Sequence, residues 1–221
     1  MNYKRLTLIM GHYGSGKTNI AVNLAYNLKE SYENVAIADL DIVNPYFRTK
    51  DSEEIFRKDG IRLICSDFAN SNVDIPAMPS DIYSLIDDKD LKAVIDVGGD
   101  DRGALAVGRL SKQILLENDY EMLFVINTFR PLTRDTEGLM EVLGEIETAC
   151  GIKFTGLINN SNLGRETTKE DVLKSIDKAN ELSKITGLPL VLTTVKEDLY
   201  DDLKGEIQNL FPLKLQKNIL I

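Results

Sequence analysis

Residues 11 to 18 read "GHYGSGKT" and follow the apolar run "LTLIM" at 6 to 10. Gly11, Gly14 and Gly16 allow a backbone to curl so that successive N–H groups point at one anion. The spacing of Gly11, Gly16, Lys17 and Thr18 fits G-x-x-x-x-G-K-[ST], in which the lysine contacts the β- and γ-phosphates of a nucleotide and the hydroxyl is a ligand for Mg²⁺. His12, Tyr13, Ser15 and Asn19 complete the segment that such a nucleotide would touch. An apolar strand before the motif and a helix after it are the setting it requires, and both are expected here.

A phosphate cradle needs carboxylates to complete a metal shell and to orient water. Two later runs supply them: "AIADLDIVNPYF" carries Asp39 and Asp41, and "AVIDVGGDD" carries Asp96 followed by Gly98 and Gly99. All three acids fall at the carboxyl ends of expected strands, the edge where open α/β sheets bind ligands. The alternative is that they only cap the elements that follow.

The elements that position these residues alternate in type. Short apolar runs at 6 to 10, 34 to 39, 61 to 65, 92 to 97, 121 to 127, 154 to 159 and 188 to 193 are separated by amphipathic stretches, the pattern of βαβ units and a largely parallel sheet. A first helix starts near Lys17, since Ile20, Ala21, Leu24, Ala25 and Leu28 recur on one face. Further helices are expected at 133 to 149, ended by Gly151, and at 168 to 185, where Thr168 and Asp171 form a capping pattern and Gly187 stops the helix. The expectation is one α/β domain over residues 1–221, in three layers, with helices flanking a mostly parallel central sheet. The connection at 66 to 80 has two prolines and little periodicity, and reads as a functional loop or a surface excursion.

A formal net charge of −9 argues against non-specific adhesion to DNA or anionic lipid, which depends on surplus Lys and Arg. Cys65 and Cys150 lack CxxC spacing and His12 is the one histidine, so no zinc constellation forms and both thiols read as reduced core residues. The start "MNYKRLTLIM" runs straight into the first strand with no room for a signal peptide, and no apolar run approaches the ~20 residues of a membrane span. A cytoplasmic protein is expected.

With these residues in place, the chain resembles the MinD/ParA/CobQ-CobB class of P-loop ATPases over nearly its whole length. In that class the loop is often K-G-G-x-G-K-[ST], the second strand ends in D-x-D, and a later strand ends in an aspartate before a small-residue switch; here these are "GHYGSGKT", "DLD" and "DVGG". The resemblance implies ATP and Mg²⁺ as cofactors. Lys17 and Asp41 become the catalytic pair, Asp41 orienting the attacking water. Thr18, Asp39, Asp41 and Asp96 supply the metal shell, and Gly99 offers its N–H to the γ-phosphate. "GLINNSN" is similar to the strand end that reads adenine through an amide, which aligns on Asn160 with Asn159 as competitor, and "TTVKED" at 193 to 198 stands where a loop closes over the base.

His12 is the departure from this pattern. It stands where class members with the deviant loop carry a lysine that reaches a partner's phosphates, and Tyr13 replaces a glycine. A neutral imidazole does not supply that charge. Arg48 and Arg102 are substitute cations or ordinary ion-pair residues. Two functions follow from the resemblance. One is a slow ATPase switch, with segments 41–50 and 96–103 reporting the nucleotide to a protein partner or to a second copy in an ATP-dependent homodimer. The other is an ATP-dependent enzyme of the dethiobiotin-synthetase or CobQ-CobB kind that phosphorylates a carboxylate. The tail "LFPLKLQKNILI" alternates like an edge strand rather than a membrane-binding helix, so nothing points to a membrane or nucleic-acid partner.

Overall fold

The computed structural model describes residues 3–41, 50–65, 80–99, 101–130 and 136–215; side chains of 50–53, 80, 101 and 102 are outside it. Eight strands run β1 (Leu6–Met10), β2 (Val35–Leu40), β3 (Ile61–Cys65), β4 (Lys92–Val97), β5 (Tyr120–Ile126), β6 (Gly156–Asn159), β7 (Leu190–Lys196) and β8 (Leu210–Leu213). They form one sheet in the order β3-β2-β4-β1-β5-β6-β7-β8, every neighbouring pair parallel. The seven expected strands occur within a few residues of their expected limits, and the tail does contribute an edge strand.

Parallel neighbours need crossovers, and helices supply them: α1 (Lys17–Lys29), α2 (Lys50–Lys58), α3 (Ser84–Asp87), α4 (Asp101–Gly108), α5 (Ser111–Glu117), α6 (Thr136–Cys150), α7 (Lys169–Thr186) and α8 (Glu197–Leu203). Helix α7 opens with the anticipated capping box, Thr168 and Asp171 bonding each other's backbone N–H, and ends at Gly187 with φ 73°. The described part of α6 runs to Cys150, one residue before Gly151.

Strand alternation divides the core between the two faces of the sheet. Leu6, Leu8 and Met10 pack with Val107, Leu139 and Ile146 on one side. Ile9, Ile37 and Val94 pack with Ile20, Leu24 and Leu28 of α1 on the other. Each fully buried Leu, Ile or Phe side chain contributes ~1.5–3 kcal/mol, so strands apolar on both faces are explained by the two helical layers. Strand β1 lies between β4 and β5, where the order of connection reverses, and the residues after its carboxyl end face the crevice that this creates.

One segment departs from its expected form. "TTVKED" is not a loop: β7 continues through Lys196 and α8 starts at Glu197. Thr193 to Lys196 are β-branched or long residues pairing in register with Leu210 to Leu213, so the ladder with β8 extends the strand.

Candidate functional site

Strand β1 gives way at Gly11 to a tight turn in which the Ser15 N–H donates to the His12 carbonyl at 3.2 Å. The turn delivers the chain into α1 through Gly16, whose φ of 90° is left-handed. A Cβ on Gly16 would lie 2.2 Å from Asn160 Nδ2, so both the backbone angle and the space require glycine. No side chain caps α1, which leaves its first N–H groups directed at the crevice.

Lys17 is buried at 6% exposure and its ammonium donates to the His12 carbonyl at 3.2 Å, folding the side chain back over the turn. The same alternation that buries Ile37 and Val94 against α1 puts Asp39 and Asp96, in register across β2 and β4, on the α1 face. Asp39 Oδ1 accepts from the Asp41 N–H at 2.9 Å, closing the turn after β2.

Asp96 is 1% exposed, and neither of its oxygens has a hydrogen-bond partner at bonding geometry among the described residues. Burial, with the nearby Asp41 charge, pushes its carboxyl up to about 6, although the Thr18 hydroxyl and the Lys17 ammonium stand close enough to favour the ionised form. The Ser15 hydroxyl is also buried without a partner among the described residues. Buried polar atoms in this condition are costly, and a cation beside Asp96 and Thr18 would relieve the first of them. Among the described residues no group of three or more His, Cys, Asp or Glu could hold a metal by itself.

The segment after β4 touches the turn after β1. A Cβ on Gly99 would lie 2.6 Å from Tyr13 N and 2.9 Å from Lys17 Nζ, so the backbone at 99 approaches the loop as only glycine can. His12 Nδ1 lies 2.9 Å from the Tyr13 carbonyl, which can only accept, so Nδ1 carries the proton in the neutral ring and Nε2 keeps its lone pair. The Tyr13 side chain is 62% exposed.

Two side chains brace the cradle from outside. Arg130, after β5, donates through Nε to the Gly14 carbonyl at 3.0 Å, and Asn160, after β6, donates to the Ser15 carbonyl at 2.6 Å. In a trans peptide the C=O and the following N–H point in opposite directions. Holding the carbonyls of Gly14 and Ser15 outward therefore fixes the peptides that carry the N–H groups of Ser15 and Gly16.

Beside Gly16 and Asn19 opens a cavity of about 710 Å³ lined by Asn160, Arg165, Thr194 and Lys196, with Val172, Val195, Leu213 and Leu215 as its apolar surface. The two asparagines at the end of β6 separate by pleat. Ile158 packs on the α1 face, so Asn160 two residues on shares that face and reaches the cradle. Asn159 points to the other side, donating to Ser175 Oγ of α7 at 2.8 Å and accepting from the Ser161 N–H. Asn160 Oδ1 also accepts from the Thr194 hydroxyl at 2.6 Å, tying the cradle to β7.

The structure thus brings together Gly11, His12, Tyr13, Gly14, Ser15, Gly16, Lys17, Thr18, Asp39, Asp41, Asp96 and Gly99, with Asn19 and Asn160 at the adjoining cavity. Residues 42–49, the loop at 66–79, Asp100 and the Arg102 side chain lie outside the described residues, as do Arg48 and most of the first switch segment. Sequence reasoning missed Arg130, Arg165, Leu213 and Leu215, and it placed the segment 193 to 198 at the base without singling out Thr194. Thr194 was legible from alternation with Leu192, which packs on the α1 face; the others carry no local signal.

No curated protein matches the chain significantly. Among solved structures, FtsY from Mycoplasma mycoides is similar at 18% identity over 89% of this chain and 61% of that one, with a TM-score of 0.58. The cell division protein FtsY from Thermotoga maritima is similar at 20% identity over 87% and 62%, TM-score 0.58. FlhF complexed with GMPPNP and Mg²⁺ is similar at 14% identity over 88% and 67%, TM-score 0.55. The chain spans about three-fifths of the length of the FtsY structures, and at these identities the likeness is one of P-loop NTPase fold. Residues 6–210, from the first residue of β1 to the first of β8, match the family model described as the CobQ/CobB/MinD/ParA nucleotide binding domain, and the chain belongs to that family.

Proposed function

We propose that the chain binds ATP with Mg²⁺ at the cradle and acts as a slow ATPase whose switch segments report the nucleotide to a partner. The observation that carries this is Asp96: a buried carboxylate with no hydrogen-bond partner at bonding geometry among the described residues, beside Lys17 and Thr18, at the uncapped start of α1. Lys17 exchanges the His12 carbonyl for the β- and γ-phosphates, a charge-assisted contact of higher strength. Thr18 and Asp96 would hold Mg²⁺ directly, with Asp39 and Asp41 around its water shell, and the ion would neutralise charge developing on the phosphates. Asp41 orients the attacking water, and Gly99 presents its N–H where the γ-phosphate would lie, coupling the second switch to the nucleotide.

ATP is favoured over GTP by the base cavity. Asn160 spends one N–H on Ser15 and one lone pair on Thr194, leaving one donor and one acceptor, the pair that adenine N7 and N6 require. Guanine presents two donors on its pairing edge and calls for a carboxylate. Among the described residues lining the cavity there is no Asp or Glu. A second reading, phosphorylation of a small-molecule carboxylate, is favoured by His12: position 12 holds an imidazole turned onto its own loop instead of a cation that could reach across a dimer.

Titration calorimetry with Mg²⁺ tests the binding proposal. ATP should bind the wild-type chain, GTP at least tenfold more weakly, and Lys17→Ala should lose both. Unchanged ATP affinity in that variant would remove the cradle assignment, and GTP binding as tight as ATP would remove the base assignment.

A further inference from the structure

We infer that β8 and the two residues after it form a wall of the nucleotide base site, held in place by Asn23 of α1, so that part of the selectivity for a nucleotide over its bare phosphates resides in the carboxyl-terminal strand. The inference rests on the reading of the cavity as a base site.

Asn23 treats Lys214 as a neighbouring strand would. Its Oδ1 accepts from the Lys214 N–H at 2.9 Å and its Nδ2 donates to the Lys214 carbonyl at 3.2 Å, a two-point bond to one residue's backbone. The same Nδ2 donates to the Asn19 carbonyl at 2.8 Å. Among the described residues β8 pairs with β7 alone, and an amide matching both a donor and an acceptor just beyond its other side fixes the chain in position and register. The exposed Lys214–Glu197 pair at 3.9 Å adds little beside this.

Fixing Lys214 places its two neighbours. Leu213 and Leu215 both line the cavity, with Lys214 between them turned outward, its side chain 80% exposed. Leu213 is buried, whereas Leu215 remains 43% exposed. An apolar side chain open to water at the mouth of a cavity gains when a flat aromatic face covers it, and a purine offers such a face. Asn19, which also lines the cavity, hands the amide of Asn23 its third bond. The start of α1 is thereby linked to the wall through one side chain, Asn23.

Titration of the chain with Mg-ATP and, separately, with Mg-tripolyphosphate, a probe of the phosphate cradle alone, distinguishes a base wall from general damage to α1. Two variants are compared with wild type: Asn23→Ala, which cuts the tether, and Leu215→Ser, which leaves the tether intact and removes apolar surface. Both should lose about tenfold in ATP affinity, the scale of one apolar side chain's contact, with tripolyphosphate affinity unchanged. Equal losses for the two ligands, or undiminished ATP affinity in Leu215→Ser, would overturn the wall. Wild-type protein that binds neither ligand would instead overturn the cradle itself, and wild-type protein that binds tripolyphosphate as tightly as ATP would overturn the base site.

Discussion

Asp41 and Asp96 lie within electrostatic reach of each other yet differ in situation. Asp96 is wholly buried behind Thr18, whereas Asp41 is half-buried at the turn after β2, its N–H bonded to Asp39. A buried carboxylate suits a metal shell, and a wetter one suits water positioning. Asp41→Ala should therefore keep ATP affinity within a few-fold while phosphate release falls by about a hundredfold or more, the usual contribution of a positioned acid–base group. Size-exclusion chromatography of that variant with and without ATP also separates the two functional readings. A shift to twice the mass supports the dimeric switch, and a monomer at every concentration favours the small-molecule enzyme.

The cradle depends on elements as much as on its own glycines. Gly16 is constrained by its left-handed φ, by α1, which begins after it, and by Asn160, which arrives from the end of β6. Gly16→Ala should destabilise the free protein by about 1–3 kcal/mol from backbone strain alone, lowering Tm by several degrees, and should abolish nucleotide binding as Asn160 is displaced. If scanning calorimetry shows an unchanged Tm, Asn160 does not seat against the loop as described. The same elements show what could be read in advance. The strands were legible because β-branched apolar runs are short and separated, and α7 because its capping box is local. The choice between Asn159 and Asn160 was already implied by Ile158, since side chains two apart share a face. Arg130 was not legible: its contact with Gly14 spans 116 residues, and nothing in "NTFRP" separates a brace from a surface arginine. The helix α8 was hidden because "EDLYDDL" is short and acidic, and its packing through Leu203 is tertiary.

Across the molecule, the edge opposite the cradle is held by a different device. Arg5, before β1, is nearly buried; it bonds the carbonyls of Leu85, Asp88 and Leu91 and pairs with Glu117 at the end of α5. The Arg5 hydrogen bonds, aided by Lys89, hold the Glu117 carboxyl below its ordinary value despite partial burial. A depressed carboxylate stabilises the fold above its unfolded value and loses that contribution as pH falls through the folded one. Glu117→Gln should cost about 1.5–3 kcal/mol at pH 7, because the buried guanidinium loses its counter-charge while keeping the carbonyls of Leu85, Asp88 and Leu91. That difference from wild type should shrink as pH falls below about 4.5. Urea denaturation at pH 7 and pH 3.5 checks this, and a difference independent of pH would remove the ion pair as its cause.

The position of β1 between β4 and β5 also has a consequence in time. A chain emerging from the ribosome delivers the cradle strand first, but its two neighbours follow only after residues 97 and 126 have appeared. The brace on Ser15 waits for Asn160, and the adjoining cavity waits for Leu213 and Leu215. At ~5–20 residues per second, this spreads assembly of one site over roughly ten seconds or more. Nucleotide capture then waits for these later residues, and a ligand that binds only the folded state would draw the folding equilibrium toward it.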